Sequence, residues 1–150
     1  MSYTEIAEKR GRSVIENMII GKVENYEFTK GRYDHIDLFI TGTSGTFAVE
    51  IKNRRPYSSE QIEKYGGQYI MKHKWDDLME AHEKSGYTPH FISIYSDIIA
   101  IWDLTTLKPL WKVKEFDLSN YQDDGKEIYE YAELMPSKAN YKYKTEKYEQ

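Results

Sequence analysis

Two runs of alternating residues, separated by a short turn, constrain the fold of this chain more than any other feature. In 34–41 and in 46–52, apolar side chains recur at every second position, which is the pattern of a strand with one buried face. The segment between them, Gly42-Thr43-Ser44-Gly45, is typical of a tight turn. The pattern therefore predicts a β-hairpin.

The register of this hairpin places two carboxylates together. If the turn is even in length and lies in its middle, the numbers of cross-strand partners sum to 87. Asp37 then faces Glu50, and His35 faces Lys52, with opposed Cβ atoms roughly 4.5–5.5 Å apart. Opposed carboxylates repel each other, so we expect a divalent cation to offset that repulsion. Asp34 is a competing acid, but it shares its strand face with the apolar residues.

The hairpin face also carries a lysine. Lys52 follows Glu50 by two residues and projects from the same face. Asp and Glu oxygens suit Mg²⁺ or Mn²⁺, and the backbone carbonyl of Ile51 can add a ligand. A metal lowers the pKa of a bound water, and a lysine can bind phosphate or help to deprotonate that water. Asp37, Glu50 and Lys52 together therefore predict phosphodiester hydrolysis.

Hydrophobic spacing predicts the remaining elements. We expect helices at 4–20 and 60–84, the second weakened at Gly66-Gly67, and strands at 23–28, 90–95, 97–102 and 108–117. The polar, Lys- and Tyr-rich segment 138–150 is expected to be a frayed tail. The order predicts an α/β (α+β) fold, with one domain over 1–120 and a partly disordered C-terminal extension over 121–150.

Composition limits the function classes. The chain has 150 residues, a formal net charge of −4 and no cysteine, which excludes disulfides and thiolate sites and fits a reducing compartment. The sequence has no apolar run long enough to span a bilayer and no signal-peptide core, so we expect a cytoplasmic protein with no membrane partner. The acidic balance argues mildly against nucleic acid. Basic residues nevertheless cluster locally, and Arg54 and Arg55 are expected to flank the site and bind phosphate. P-loop, dinucleotide-binding and GxSxG motifs are missing from the sequence.

Asp37 followed by Glu50-Ile51-Lys52 resembles the D…ExK signature of the PD-(D/E)XK nuclease superfamily, with Ile36 in place of the motif's proline. The resemblance covers residues 5–102. It implies a restriction-endonuclease-like αβββαβ core, a central mixed sheet flanked by helices. It also implies that Asp37 and Glu50 bind the metal and that Lys52 is the catalytic lysine.

Two further elements resemble parts of that superfamily. Many members carry an acid on the first helix, and here either Glu8 or Glu16 fits, with Glu8 slightly favoured. Gln61 and Tyr65 resemble the QxxxY element of the RecB-like and phage-exonuclease branches and would share one helix face. The resemblance implies that these residues contact substrate or support Lys52.

The sequence therefore predicts a Mg²⁺- or Mn²⁺-dependent nuclease acting on DNA, with RNA left open as a substrate. The small size favours structure-specific or end-directed cutting, as in Holliday-junction-resolvase-like members and small phage exonucleases. The resemblance also implies a homodimer, because small members of the superfamily often dimerise. The alternative is an inactive nuclease-like fold, phage-encoded or otherwise, that binds nucleic acid or protein. A third hypothesis is that the chain is an interaction protein whose acidic surface mimics nucleic acid.

Overall fold

Helices and two β-sheets make up the part of the chain that the computed structural model describes, residues 2–30, 36–117 and 126–149. This mixed architecture confirms the predicted α+β fold class. The elements are α1 (Tyr3–Ile19), β1 (Asn25–Phe28), β2 (Leu38–Gly42), β3 (Gly45–Asn53), α2 (Ser59–Lys64), β4 (Gln68–Met71), α3 (Lys72–Ser85), β5 (Thr88–Ile94), β6 (Ile98–Asp103), β7 (Lys112–Asp117), β8 (Lys126–Leu134) and β9 (Tyr141–Lys144).

The larger sheet is mixed and has six strands in the order β1-β2-β3-β5-β6-β9. Strands β3 and β5 run parallel, and the other neighbours are antiparallel. Helix α1 covers one face because its apolar stripe, which includes Val14, Ile15 and Met18, packs on apolar side chains of the sheet. Ser2 caps its start, and Gly21 follows its end with a φ of 75°.

The opposite face of this sheet is covered by α3 and by a second sheet of three strands, in the order β4-β8-β7. Leu78 of α3 and Ile70 of β4 pack against Phe91 and Trp102 of the larger sheet. Strand β3 therefore has strand neighbours on both edges and covered faces on both sides. A polar side chain on β3 is buried unless a cleft opens beside it.

The hairpin has the predicted register. Leu38 pairs with Val49, and Gly42 pairs with Gly45, so every pair sums to 87 and two residues form the loop. Gly45 has a φ of 127°, which favours glycine at this turn. Asp37 lies one residue before β2, and its N–H still donates to the carbonyl of Val49 at 3.0 Å. Asp34 and His35 lie outside the described residues.

The long helix predicted over 60–84 is wrong. Helix α2 ends at Lys64, and Gly66 and Gly67 follow with φ of 107° and 105°. Strand β4 then pairs with β8, and α3 begins only at Lys72. A Cβ on Gly67 would lie 2.8 Å from the carbonyl oxygen of Leu134, so close packing requires glycine there. The partner strand is distant in sequence, and local periodicity cannot show it.

The frayed tail predicted over 138–150 is also wrong for residues 138–149. Strand β9 pairs with β6 and completes the larger sheet. The buried Thr145 donates its hydroxyl to the carbonyl of Tyr95 at 2.8 Å, and the carbonyl of Tyr148 accepts from Asn17 Nδ2 at 2.8 Å. Of the predicted extension 121–150, residues 121–125 and 150 lie outside the described residues, and the rest contributes to both sheets.

Candidate active site

A cleft of about 390 Å³ opens between α1, strand β3 and the first turn of α3. Both ends of the predicted D…ExK motif line it, together with residues of both helices. The lining residues are Tyr3, Thr4, Ala7, Glu8, Arg12, Asp37, Glu50, Ile51, Lys52, Asn53, Arg54 and Lys74.

Glu50 lies at the base of this cleft. Its position on the central strand β3 leaves the residue only 2% exposed. Its Oε1 is 3.5 Å from Lys52 Nζ, and its Oε2 is 3.7 Å from Lys74 Nζ. Within the described residues, Oε2 accepts no hydrogen bond. A buried carboxylate oxygen without a hydrogen bond is costly, so this atom marks where a ligand would be stabilised.

The charge state of Glu50 reflects this environment. Burial first, and then the neighbouring Asp37 carboxylate, raise the pKa of Glu50 to about 7, although Lys52 and Lys74 oppose the shift. Two carboxylates so close cannot both ionise easily without a compensating charge. A cation at the pair would supply that charge.

Asp37 is held by contacts from two other elements. Its Oδ2 accepts a hydrogen bond from the backbone N–H of Ile51 at 2.9 Å, and its Oδ1 is 3.8 Å from Arg12 Nη2. Arg12 is itself anchored, because its Nη1 donates to the carbonyl of Thr29 at 3.1 Å. The carboxylate of Asp37 is therefore oriented beside Glu50, as the hairpin register predicts.

This donor set fits a hard divalent cation. It offers the carboxylates of Asp37 and Glu50, including the Oε2 atom without a hydrogen bond. No group of three or more His, Asp and Glu side chains converges among the described residues, but Mg²⁺ commonly takes only one or two carboxylates and fills its other positions with water and phosphate oxygens. Ile51 lines the cleft, and the ligand role of its carbonyl stays a prediction.

Cationic side chains surround the carboxylates. Arg12, Lys52, Arg54 and Lys74 line the cleft, against the three acids Glu8, Asp37 and Glu50. Arg54 is half-buried, and burial lowers the pKa of its guanidinium. A half-buried guanidinium at a cleft wall favours an anionic ligand. The local surplus of positive charge differs in sign from the net charge of −4 of the whole chain.

The structure separates the two candidate helix acids. Glu8 lines the cleft at its exposed rim. Glu16 lies two turns further along α1, where its Oε2 accepts a hydrogen bond from the Tyr26 hydroxyl at 2.9 Å. Glu8 is therefore the acid of α1 that the fold brings to Asp37 and Glu50.

Three other predicted residues do not line the cleft. Gln61 caps α2, because its Oε1 accepts from the N–H of Ser58 at 2.8 Å. Tyr65 ends that short helix and is 78% exposed. Arg55 forms an ion pair with Glu149 at 2.7 Å. The resemblance to a QxxxY element implies a site role for Gln61 and Tyr65, but they lie on and at the end of α2, whereas the helix that lines the cleft is α3.

The structure adds two basic residues that the sequence analysis missed, Arg12, which lies beside Asp37, and Lys74. Lys74 is the third residue of α3 and contacts Glu50. In an uninterrupted helix over 60–84 it would be an ordinary mid-helix lysine. The signal that could have revealed it is Gly66-Gly67, which ends α2 and lets α3 begin at Lys72, beside the cleft.

Comparisons with known proteins leave the family of this chain open. None of the described helices combines the length and apolar character needed to cross a bilayer. No protein-family model matches the chain, and no curated protein is similar enough to match it.

Proposed function

We propose that this chain is a metal-dependent nuclease of the PD-(D/E)XK kind that hydrolyses phosphodiester bonds in DNA. The observation that carries the proposal is the buried Glu50 carboxylate beside Asp37, whose Oε2 accepts no hydrogen bond from the residues that the structure describes. Such a pair is unstable alone and suits a divalent cation. Lys52 contacts the same carboxylate, so acid, acid and lysine meet at one point.

Each cleft residue has a chemical role in this proposal. A bound Mg²⁺ would lower the pKa of water and neutralise charge on the phosphate in the transition state. Asp37 and Glu50 would hold it, and Asp37 is pre-oriented by the Ile51 N–H. The side chain of Lys52 is 37% exposed, so its ammonium can reach a phosphate and orient the attacking water.

The basic groups of the cleft wall support a phosphate-bearing substrate. Arg12 and Arg54 can bind the phosphates that flank the scissile bond, because guanidinium groups match phosphate oxygens in pairs. Arg12 reaches the cleft from α1 and Arg54 from the end of β3.

The order of elements also supports the proposal. The chain runs α1, β1, β2, β3, then α3 and β5, with β3 and β5 parallel. This is the αβββαβ order that the resemblance implies, with α2 and β4 inserted before the second core helix. The finer parts of the proposal are structure-specific or end-directed cutting, a homodimer and a cytoplasmic location.

The second candidate is a binding module built on a nuclease-like fold. It is favoured by the hairpin of β7 and β8, where Val113 and Ile128 are 67% and 70% exposed. Exposed apolar side chains on a hairpin are common in protein-binding surfaces. This module would bind its partner without Mg²⁺ and without cleaving nucleic acid.

A substrate panel tests the proposal. Purified protein is incubated with Mg²⁺ or Mn²⁺ and labelled duplex, single strand, flap, four-way junction and RNA. We expect metal-dependent cleavage of at least one substrate, lowered about 10²- to 10⁴-fold by Lys52→Gln and abolished by Glu50→Gln. Glu60→Gln, an exposed change on α2, is the matched control. Cleavage that needs no metal, or that persists in both cleft variants, would refute the proposal of a metal-dependent nuclease with its active site in this cleft.

A further inference from the structure

Lys74 makes an unusual contact with the base of the cleft. Its Nζ lies 3.7 Å from Glu50 Oε2, which is the oxygen that accepts no hydrogen bond from the described residues. That distance is too long for a hydrogen bond, so the contact is ionic only. Lys52 approaches the other oxygen, Oε1, from β3 itself. The two lysines thus divide the two oxygens of one carboxylate between them.

Lys74 and a divalent cation would both contact the same oxygen atom, Oε2 of Glu50. A cation bound at Oε2 would place a like charge beside the Lys74 ammonium, within a region of low dielectric. The two like charges at one oxygen repel each other, so metal binding favours movement of the Lys74 ammonium away from Oε2. Lys74 has a flexible four-carbon stem, and its side chain is 25% exposed, so it can turn toward the open cleft.

We propose that Lys74 couples the binding of the metal ion to the binding of a substrate phosphate. When the cleft is empty, Lys74 neutralises Glu50; when a cation replaces it there, Lys74 binds a phosphate group of the nucleotide substrate. This inference rests on the proposed metal site and names a residue beyond the acid, acid and lysine motif. It requires that phosphate strengthen metal binding, because a bound phosphate draws Lys74 away from Glu50.

The same helix turn supplies a matched control. Lys72 lies two residues earlier and forms an ion pair with Asp76 at 3.1 Å, and its Nζ stands 5.7 Å from the ring centroid of Trp111. It does not line the cleft. Lys72→Gln therefore removes the same charge from the same helix turn and leaves Glu50 untouched, whereas Lys74→Arg keeps the charge at the cleft.

The experiment is a calorimetric titration of Mn²⁺ into the full chain, with and without thymidine 5′-monophosphate, for the wild type, Lys74→Gln, Lys74→Arg and Lys72→Gln. We expect Lys74→Gln to bind Mn²⁺ about tenfold tighter than the wild type, and the nucleotide to strengthen Mn²⁺ binding by a factor several-fold larger in the wild type than in Lys74→Gln. Lys72→Gln and Lys74→Arg should resemble the wild type in both measurements.

Two results would overturn the coupling: equal Mn²⁺ affinity in Lys74→Gln and the wild type, or the same nucleotide effect in both. Absence of Mn²⁺ binding in every variant would overturn it together with the proposed metal site. The expected titrations in a protein that cleaves no substrate would support the coupling and refute only the nuclease activity. Circular dichroism of each variant verifies that it is folded.

Discussion

Replacing Glu50 by Gln should stabilise the metal-free protein at alkaline pH. The folded state raises the pKa of Glu50 from 4.5 to about 7, because of burial and the neighbouring Asp37 carboxylate. Folded protein therefore binds this proton more tightly than unfolded protein does. The stabilisation that the protonated Glu50 gives to the folded state is fully present below pH 4.5, the ordinary pKa of the group. It is lost as the pH rises toward 7.

The magnitude follows from the two pKa values. At about 1.4 kcal/mol for each pKa unit, ionisation of Glu50 lowers the free energy of unfolding by about 3 kcal/mol above pH 7. Between pH 5 and pH 8 the loss is somewhat smaller, about 2–3 kcal/mol, because the unfolded group is already partly ionised at pH 5. An isosteric amide cannot ionise, so the Glu50→Gln variant escapes this loss.

The assay is urea unfolding in a chelator at pH 5 and pH 8. Titrating groups far from Glu50 contribute equally to both proteins, so the informative quantity is the stability of Glu50→Gln minus that of the wild type. This difference also includes the response of Asp37, Lys52 and Lys74, whose charges interact with Glu50. We expect this difference to grow by about 2–3 kcal/mol from pH 5 to pH 8. In Glu60→Gln, an exposed control, the corresponding difference should stay constant. A Glu50→Gln difference that does not change with pH would refute the argument that Glu50 is desolvated beside Asp37.

Metal should offset most of the stability difference between Glu50→Gln and the wild type at pH 8. Mn²⁺ at a hundred times its dissociation constant stabilises a protein by about 2.7 kcal/mol. At pH 8 we expect this gain in the wild type and only a small one in Glu50→Gln, which lacks one carboxylate ligand. An equal gain in both proteins would show that the cation binds elsewhere.

Three further substitutions test the fold around the site, each by urea unfolding. Ser58→Ala removes the cap of α2 and should lower the free energy of unfolding by about 1 kcal/mol, with no change in Mn²⁺ affinity; a changed affinity would contradict this. Gly67→Ala should lower it by about 2 kcal/mol or more, because φ is 105° and a Cβ would lie 2.8 Å from the Leu134 carbonyl oxygen; an unaffected variant would argue against this turn. Thr145→Val leaves the buried carbonyl of Tyr95 without its donor and should lower it by about 1–3 kcal/mol; a stability equal to the wild type would show that β9 is not docked.

The hairpin and its carboxylate pair could be predicted because the necessary information is local. Alternation over two short strands fixes which face each residue occupies, and a two-residue loop fixes the register. Asp37 and Glu50 follow from those two facts. The phase of α1 likewise favoured Glu8 over Glu16, and the structure places Glu8 at the cleft.

The remainder of the site depends on pairings between distant residues. Strand β4 exists because β8 lies beside it, and the register joins Gln68 to Leu134 across more than sixty residues of chain. Without that partner, the segment 60–84 has the composition of a helix, and periodicity alone assigns it so. Lys74 reaches Glu50 only because β4 ends where α3 begins. A single sequence gives no measure of such pairings.

The hydrogen bond between Asn17 and the carbonyl of Tyr148 has a consequence for how the cleft is assembled during synthesis. It spans 131 positions of the chain, and Arg55 is similarly tied to Glu149. As the chain emerges from the ribosome, α1 is made first, but the residues that hold its far end are made after every other described element. Contacts of such sequence separation form slowly. The C-terminal end of α1 is therefore secured late. A nascent chain would possess Asp37, Glu50 and Lys52, and Arg12 could already contact Thr29, before α1 is held at its far end.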